Sequence, residues 1–292
     1  MPPRDKNCFK RETSELVRQL ARRVMGAESA PEPAIRALIE GLRKSARLKG
    51  RSYTLEPFLK LRNVLSVEYV AQLDFDGMVQ PLGESYQSGF RMVLSKDSSM
   101  ARLRFTMAHE LCHTFFYEMV PELKFRAHEV DPCEERLCNF GAAELLMPAR
   151  PLKRCAKSLE KSLRSLEVLA KSFHVSMEAM LLRLQSVGVW ESELSEWRAM
   201  TGGNFSLHRV TGGRRVQWEW SESHLLRDAW DNGKTLSGKT YIQYREQGGA
   251  PNLRAVSYEV RRRGNALFAL WSRPSNNRSH AGMPLFEEAE KS

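Results

Sequence analysis

The spacing of apolar residues predicts that the chain begins with helices. Before residue 45, apolar residues recur every three or four positions, which is typical of two amphipathic helices. Gly26 is expected to end the first helix, and Thr54 is a suitable N-cap for a short third helix that runs through Leu65. The two apolar faces comprise Leu16, Val17, Leu20 and Val24, and Ile35, Leu38, Ile39 and Leu42.

Alternation replaces the helical spacing after residue 66. Residues 67–73 alternate as a strand, and Asp76-Gly77 predicts a hairpin turn into a second strand over residues 78–82. Residues 90–94 indicate a third strand, placed to pair with an extended substrate segment. Together these segments predict a small antiparallel sheet flanked by helices, an α+β arrangement.

A helix that carries two histidines follows the third predicted strand. The polar run Asp97-Ser98-Ser99 predicts its start and Tyr117 its approximate end. His109 and His113 are four residues apart, so both imidazoles lie on one face and can reach one zinc ion. Glu110 lies beside the first histidine, where a carboxylate can act as general base toward a water on the metal. The alternative is two surface histidines on an ordinary helix.

The next predicted helix, between Pro132 and Pro148, offers the third ligand that a catalytic zinc needs. Glu135 and Asn139 are four residues apart and share a face, which predicts Glu135 as ligand and Asn139 as hydrogen-bond partner of a ligand histidine. Glu134, about 100° around the helix, is the competing ligand.

These two segments resemble the paired motifs of the ImmA/IrrE family of metallopeptidases. The first is RFTMAHELCH over residues 104–113, and the second joins Glu135 and Asn139 to the run that ends at Pro148. The resemblance covers about residues 30–190. It implies a zincin-like core with one zinc ion per chain, bound by His109, His113 and Glu135, with Glu110 as catalytic base.

One residue departs from the family pattern. Members commonly have glycine immediately before the second histidine, where this chain has Cys112. A thiol therefore lies within one turn of His109, and a sulfur contribution to the metal site stays open beside simple packing.

The resemblance also implies a function. A regulatory protease of this kind cuts a helix-turn-helix transcriptional repressor and relieves repression, and the chain is most similar to IrrE-type proteases of the radiation and DNA-damage response. The expected partner is therefore a protein substrate. The competing interpretation is a DNA-binding or ligand-sensing transcriptional regulator whose metal site is structural or vestigial.

Residues 163–187 predict a helix, a tight turn and a second helix, with Ser176 as N-cap and Gly188 at the end. The family places a helix-turn-helix-like element here. The second helix, Ser176–Gln185, contains Arg183 as its sole cation, which suits DNA reading poorly. A structural or partner-docking role is therefore favoured over direct DNA binding.

The predicted domains are a zinc peptidase domain with N-terminal helices (1–150), the helix-turn-helix-like segment (151–190), a third domain (191–273) and a flexible tail (274–292). By the resemblance the third domain is a mixed α/β GAF-like sensor. Three tryptophans in it are interpreted as core residues rather than a ligand pocket. Its predicted strands are 215–220, 241–244, 255–260 and 266–271, its predicted helix is 221–230, and the tryptophans are Trp218, Trp220 and Trp230.

Charge and composition change this picture little. The net charge of +10 is uneven: residues 61–150 carry 9 basic and 13 acidic side chains, whereas residues 151–190 carry 7 and 3. A solvated surface explains the basic flank most simply, and attraction for nucleic acid or an acidic partner is the alternative. The five cysteines are irregularly spaced, and no apolar run reaches the roughly 20 residues of a membrane span, so a cytoplasmic protein without membrane contact is expected.

Four further side chains could contribute to the site. Tyr117, one turn beyond His113, and His128, between the two motif helices, are candidates for contact with substrate or an oxyanion. A structural role is favoured for both. Cys133 and Cys138 are five residues apart, which is not a metal-pair spacing, so packing is favoured for them as well.

Overall fold

The computed structural model describes residues 15–26, 30–47, 54–83, 85–119, 131–201, 204–211, 223–245 and 251–272. Helices and two β-sheets alternate along the chain, which confirms a mixed α and β fold. The chain divides into two compact units, one of residues 1–160 and 164–190 and one of residues 161–163 and 191–292. His128, Trp218, Trp220, the predicted strand 215–220 and the predicted tail 274–292 lie outside the described residues.

Among the residues that the structure describes, three helices precede the first sheet. The first ends at Gly26, whose φ of 75° is easily reached only by glycine. The third is shorter than predicted, because Asn63 adopts a left-handed φ of 55° and turns the chain directly into a strand. Val64 and Leu65 therefore belong to that strand. The helices are α1 (Glu15–Met25), α2 (Pro31–Ser45) and α3 (Glu56–Leu61).

The first sheet has three strands in the order β1-β3-β2: β1 (Val64–Val70), β2 (Gly77–Pro81) and β3 (Phe90–Ser95). β1 runs parallel to β3, and β2 runs antiparallel to it. The predictions of a purely antiparallel sheet and of a hairpin between the first two strands are therefore wrong. The turn at Asp76 leads into pairing with β3, where the Asp76 carbonyl accepts a hydrogen bond from the Ser95 amide at 2.8 Å.

The central position of β3 overturns a further prediction. Both edges of β3 are paired, so residues 90–94 cannot add a substrate strand. The sheet edges are β1 and β2. In β2, Val79 lies opposite Met92. The Ser95 amide donates to the Asp76 carbonyl and the Leu82 amide to the Gly89 carbonyl, so hydrogen-bonded pairs alternate along the ladder and fall at the positions on either side of Val79. Val79 therefore turns its N–H and C=O away from β3.

Two helices carry the paired motifs. α4 (Met100–Tyr117) begins at Ser99, whose hydroxyl accepts from the Arg102 amide, and α5 (Pro132–Leu146) begins at Asp131, whose carboxylate accepts from the Cys133 amide at 2.9 Å. The bounds of both helices lie close to those predicted from the sequence. They approach each other at Gly141, where an added Cβ would lie 2.6 Å from the Cys112 sulfur.

A buried ion pair connects α5 to the helices that follow it. The Glu144 carboxylate pairs with the Arg183 guanidinium, accepts a hydrogen bond from the Ala149 amide at 3.1 Å, and is fully enclosed. Arg183 also donates through Nε to the Met147 carbonyl at 2.9 Å. The ion pair therefore fixes the last helix of the first unit against α5. The helices involved are α6 (Ala149–Lys157), α7 (Leu163–Phe173) and α8 (Met177–Ser186).

The second unit is an antiparallel sheet with one described helix. The strand order is β5-β4-β8-β7-β6, and β7 and β8 form the predicted hairpin around Gly264 and Asn265. Side chains from α9 and the sheet form one apolar cluster, and Trp230 packs against it. The elements are β4 (Ser192–Ala199), β5 (Phe205–Thr211), α9 (Ser223–Asn232), β6 (Leu236–Arg245), β7 (Pro251–Arg263) and β8 (Ala266–Ser272).

Across the described ranges, none of the helices combines the length and the apolar character that a membrane crossing requires.

Candidate metal centre

His109 and His113 lie one turn apart on α4 and face the same direction. Their Nε2 atoms are 3.1 Å apart, and the two rings meet edge to face with centroids 4.9 Å apart. Both side chains are mostly buried, at 13% and 15% exposure. The i, i+4 spacing on a regular helix accounts for this pairing directly.

Glu135 on α5 completes a triangle with the two histidines. One carboxylate oxygen lies 3.2 Å from Nε2 of His109, and the other lies 3.2 Å from Nε2 of His113. Three atoms that bind one tetrahedral zinc ion at about 2.1 Å lie about 3.4 Å from each other. The residues present therefore fit a zinc ion in donor type and spacing. Glu135 is partly exposed, at 37%, so the triangle borders solvent.

The competing glutamate, Glu134, takes a different position. Its Oε1 lies 2.7 Å from Nδ1 of His113, on the opposite side of the ring from Glu135, and the side chain is buried. Such a carboxylate orients an imidazole and leaves Nε2 available to a metal. Cys138, one turn beyond Glu134, brings its sulfur within 4.8 Å of a ring nitrogen of His113 and a carboxylate oxygen of Glu134.

Asn139 contacts the helix that carries it. Its Nδ2 donates to the backbone carbonyl of Glu135 at 2.9 Å, so the side chain folds back onto its own helix. The predicted hydrogen bond from Asn139 to a ligand histidine therefore stays a prediction, and the contact that the structure gives its Nδ2 is with the carbonyl one turn earlier. Glu134 occupies that role in the structure.

Glu110 is buried beside the two imidazoles, with one carboxylate oxygen within 4.8 Å of their nitrogens. It lies beside Val79 on β2, whose outward-facing N–H is among the groups that act on its pKa. Burial raises the pKa of the Glu110 carboxyl, while the neighbouring histidines and the Val79 amide act in the opposite direction. A carboxyl group in this environment accepts a proton more readily than an exposed glutamate does.

Tyr117 lies over the same residue of β2. Its hydroxyl donates to the Val79 carbonyl at 3.3 Å, and its ring packs against Phe90 with centroids 5.4 Å apart. Tyr117 therefore occupies the outward carbonyl of Val79, and Glu110 lies near its outward N–H. His128, the other predicted candidate, lies outside the described residues.

The Glu135 carboxylate and the His113 imidazole each shift the pKa of the other. Hydrogen bonds from His109 and His113 lower the pKa of Glu135, so this carboxylate stays anionic. Burial disfavours the charged form of His113, but Cys138, Glu134 and Glu135 together raise its pKa well above the usual value. A bound cation would take the place of the His113 proton, since only neutral imidazole coordinates a metal.

The cysteines near the site are buried thiols. Burial raises the pKa of Cys138 to about 12 and that of Cys112 well above its usual value, so both stay protonated at neutral pH. The Cys112 sulfur lies in the contact between α4 and α5, against Gly141. Cys138 clusters instead with His113 and Glu134.

Arg62, after α3, fixes the C-terminal end of the histidine helix. Its Nε donates to the Thr114 hydroxyl at 2.8 Å and Nη2 to the Thr114 carbonyl at 2.9 Å. Nη2 also lies 2.5 Å from the Glu118 carboxylate, and the guanidinium covers the Phe115 ring at 4.5 Å from its centroid. These contacts surround the turn that follows His113, so Arg62 is a positioning residue for α4.

Sequence reasoning missed Arg62 and Val79, assigned Cys138 to packing, and assigned Glu134 only as a competing ligand. A signal existed for one pair: Glu134 and Cys138 are four residues apart and share a helical face. Arg62 and Val79 act from distant segments, Val79 through its backbone alone, so no local pattern marks them.

Comparison with known proteins gives one informative match. Residues 78–185, which hold both motif helices, match the family Peptidase_M78, the IrrE N-terminal-like domain. This match confirms the resemblance to the ImmA/IrrE family over that stretch. Among solved structures, a Mycobacterium tuberculosis transcriptional regulator is similar at 14% identity and a TM-score of 0.42, covering 88% of this chain and 79% of its own. No curated protein sequence matches the chain.

Proposed function

Because this chain carries an IrrE N-terminal-like domain of the Peptidase_M78 family over residues 78–185, we propose that it is a zinc-dependent endopeptidase. The main support for this proposal is the triangle of His109, His113 and Glu135, whose potential donor atoms are 3.1–3.2 Å apart. Three protein ligands leave a fourth position open on one tetrahedral zinc ion, as catalysis requires. Zinc bound there would polarise a scissile carbonyl and acidify a water molecule.

Glu110 is the proposed general base. It is buried within reach of both histidines, and it lies beside Val79 at the outer edge of β2. In the proposed reaction Glu110 takes a proton from the attacking water and passes it to the amine that leaves the cut peptide bond. Glu134 holds Nδ1 of His113 and so keeps the imidazole in its ligand orientation.

The outer edge of β2 is the proposed binding site for an extended substrate segment. No other described strand pairs with this edge, and Val79 directs its N–H and C=O outward beside Glu110. An added strand would take the two backbone groups of Val79 by β-augmentation. The Tyr117 hydroxyl would then be released toward the peptide bond, beside Glu110.

The proposed substrate is a helix-turn-helix transcriptional repressor of a stress response to DNA damage or radiation, cut once to relieve repression. This choice rests on the resemblance to the ImmA/IrrE family. The second unit is proposed as a GAF-like sensor that controls the cut, and its antiparallel sheet with an apolar cluster under α9 supports that role.

Sequence-specific DNA reading by α8 is not supported. Arg183, the sole cation of residues 176–185, is 4% exposed and is held by Glu144 and the Met147 carbonyl. A recognition helix needs side chains that extend into the major groove. The burial of Arg183 therefore supports a structural role for the α7–α8 element.

The test combines zinc content with cleavage of candidate repressors. Glu110→Gln should keep zinc and slow cleavage by about 10²–10⁴-fold, because it removes the base and leaves the ligands intact. Glu135→Ala should lose both zinc and cleavage. Glu68→Gln is the matched control, since Glu68 is half-exposed on β1 and should behave as wild type.

Two results would contradict the proposal. Cleavage by Glu110→Gln at the wild-type rate would remove Glu110 as base, and unchanged zinc content in Glu135→Ala would remove Glu135 as ligand. If no helix-turn-helix repressor were cut while an unrelated extended peptide was, the metal chemistry would stand and the substrate class would be wrong.

A further inference from the structure

The exposed face of α6 concentrates positive charge. Four of its nine residues are Lys or Arg and none is acidic. Arg150, Lys153, Arg154 and Lys157 are all exposed, while Leu152 and Ala156 on the opposite face are buried. The helix therefore has an apolar face in the core and an outer face formed by cations.

The α6 cations have no ion-pair partner among the described residues. In the part of the chain that the structure describes, none of the four side chains forms an ion pair, whereas Arg62, Arg102 and Arg183 each bind a carboxylate. Four like charges within about 10 Å of helix repel each other unless a polyanion or counterions neutralise them. The α6 cations are thus available to an external partner.

The chemistry of the face discriminates between partners. Protein interfaces centre on buried aromatic or aliphatic side chains and exclude charges from their core. Pro151 and Cys155 lie between the cations of α6 and are partly exposed. Neither is a large apolar side chain that could anchor a protein interface. Contacts with a phosphate backbone need only Lys and Arg.

We propose that the outer face of α6, formed by Arg150, Lys153, Arg154 and Lys157, binds the phosphate backbone of duplex DNA without sequence preference. The cations recur once per turn over about 10 Å of helix. Successive phosphates of one DNA strand are separated by about 3.4 Å along the duplex axis, so the four cations can contact about three phosphates. This site is distinct from the α7–α8 element, whose second helix offers no exposed cation.

The experiment is fluorescence anisotropy of the full chain with a labelled 20-base-pair duplex. With about three phosphate contacts, raising potassium chloride from 50 to 200 mM should weaken binding about 40-fold, and a second duplex of unrelated sequence should bind equally. Replacing all four α6 cations with glutamine should abolish most of this salt dependence. Because four cations share about three phosphates, each single change, such as Lys153→Gln, should lower the slope of log affinity against log salt by about 0.7.

A variant with equal charge loss elsewhere is the control. Lys44, Lys60, Lys96 and Lys171 are exposed on other elements of the first unit, and their replacement with glutamine should leave the salt slope near wild type. An equal effect of both fourfold variants would overturn the proposal, as would absence of binding at 50 mM salt. Tighter binding of polyglutamate than of DNA would identify an acidic protein as the partner instead. No cleavage is measured, so the result is independent of the proposed peptidase activity.

Discussion

Glu134 Oε1 lies 2.7 Å from Nδ1 of His113, while Glu135 contacts Nε2 of the same ring. Two consecutive glutamates on α5 thus bind the two nitrogens of one imidazole. This is possible because successive residues on a helix point about 100° apart, and the imidazole of His113 lies between the two glutamate side chains. The ring is oriented by one carboxylate and presented to the metal position beside the other.

Removal of Glu134 should therefore weaken metal binding. Glu134→Ala leaves Nδ1 of His113 without its carboxylate partner, and such changes lower zinc affinity by about 10–100-fold. Competition with a chromophoric chelator measures the affinity. Asn139→Ala is the control on the same helix and should bind zinc as wild type, because Asn139 contacts only its own helix there. Wild-type affinity in Glu134→Ala would show that the hydrogen bond does not orient the ligand.

Cys112 and Gly141 should be energetically coupled. A methyl group at residue 141 would lie 2.6 Å from the Cys112 sulfur, so Gly141→Ala should lower the free energy of unfolding by about 1–3 kcal/mol. Cys112→Ala removes the sulfur and should recover about 1 kcal/mol or more in the double variant. Urea unfolding of the four proteins gives the coupling. Strictly additive changes would mean that the helices separate rather than clash.

The guanidinium of Arg62 should not be replaceable by an ammonium group. Arg62→Lys cannot contact Thr114 and Glu118 at once while covering Phe115, so the free energy of unfolding should fall by about 1–3 kcal/mol. Arg18→Lys is the control, since Arg18 is 54% exposed in its ion pair with Glu15 and such pairs contribute little. Equal thermal unfolding of the two variants would remove Arg62 as a positioning residue.

Breaking the buried ion pair between Glu144 and Arg183 should be costly. Arg183→Met leaves the Glu144 charge enclosed with only the more distant Arg36, at 3.5 Å, and should lower the free energy of unfolding by about 3–5 kcal/mol. Adding Glu144→Gln removes that charge and should restore part of the loss. Chemical denaturation of both variants checks the order. A double variant less stable than Arg183→Met alone would contradict it.

Local patterns predicted the motif helices well. Ser99 and Asp131 cap α4 and α5 where the sequence places polar residues before apolar spacing, and Pro132 lies in the first turn. His109 and His113 meet because their spacing on a helix requires it. These features depend on residues within one or two turns, so the sequence contains them in full.

Features that depend on distant segments were not predictable in the same way. Asp76-Gly77 is a typical hairpin turn and predicts pairing of β2 with the preceding strand, β1. In the structure β3 lies between β1 and β2, so β2 pairs with β3 instead. The contribution of Val79 to the site comes from backbone groups, which no side-chain pattern marks. Arg183 looks like a surface cation in the sequence, and only the position of Glu144 on another helix explains its burial.

The hydrogen bond from Tyr117 to the Val79 carbonyl bears on how the proposed substrate would be captured. A strand that adds to β2 would exchange this bond for one of its own, so the number of hydrogen bonds at the carbonyl would stay constant. Main-chain pairing at that carbonyl would then contribute little net affinity. In the proposed protease, discrimination among proteins would therefore come from side chains that flank the paired residue, which makes it selective for sequence rather than able to degrade any extended chain.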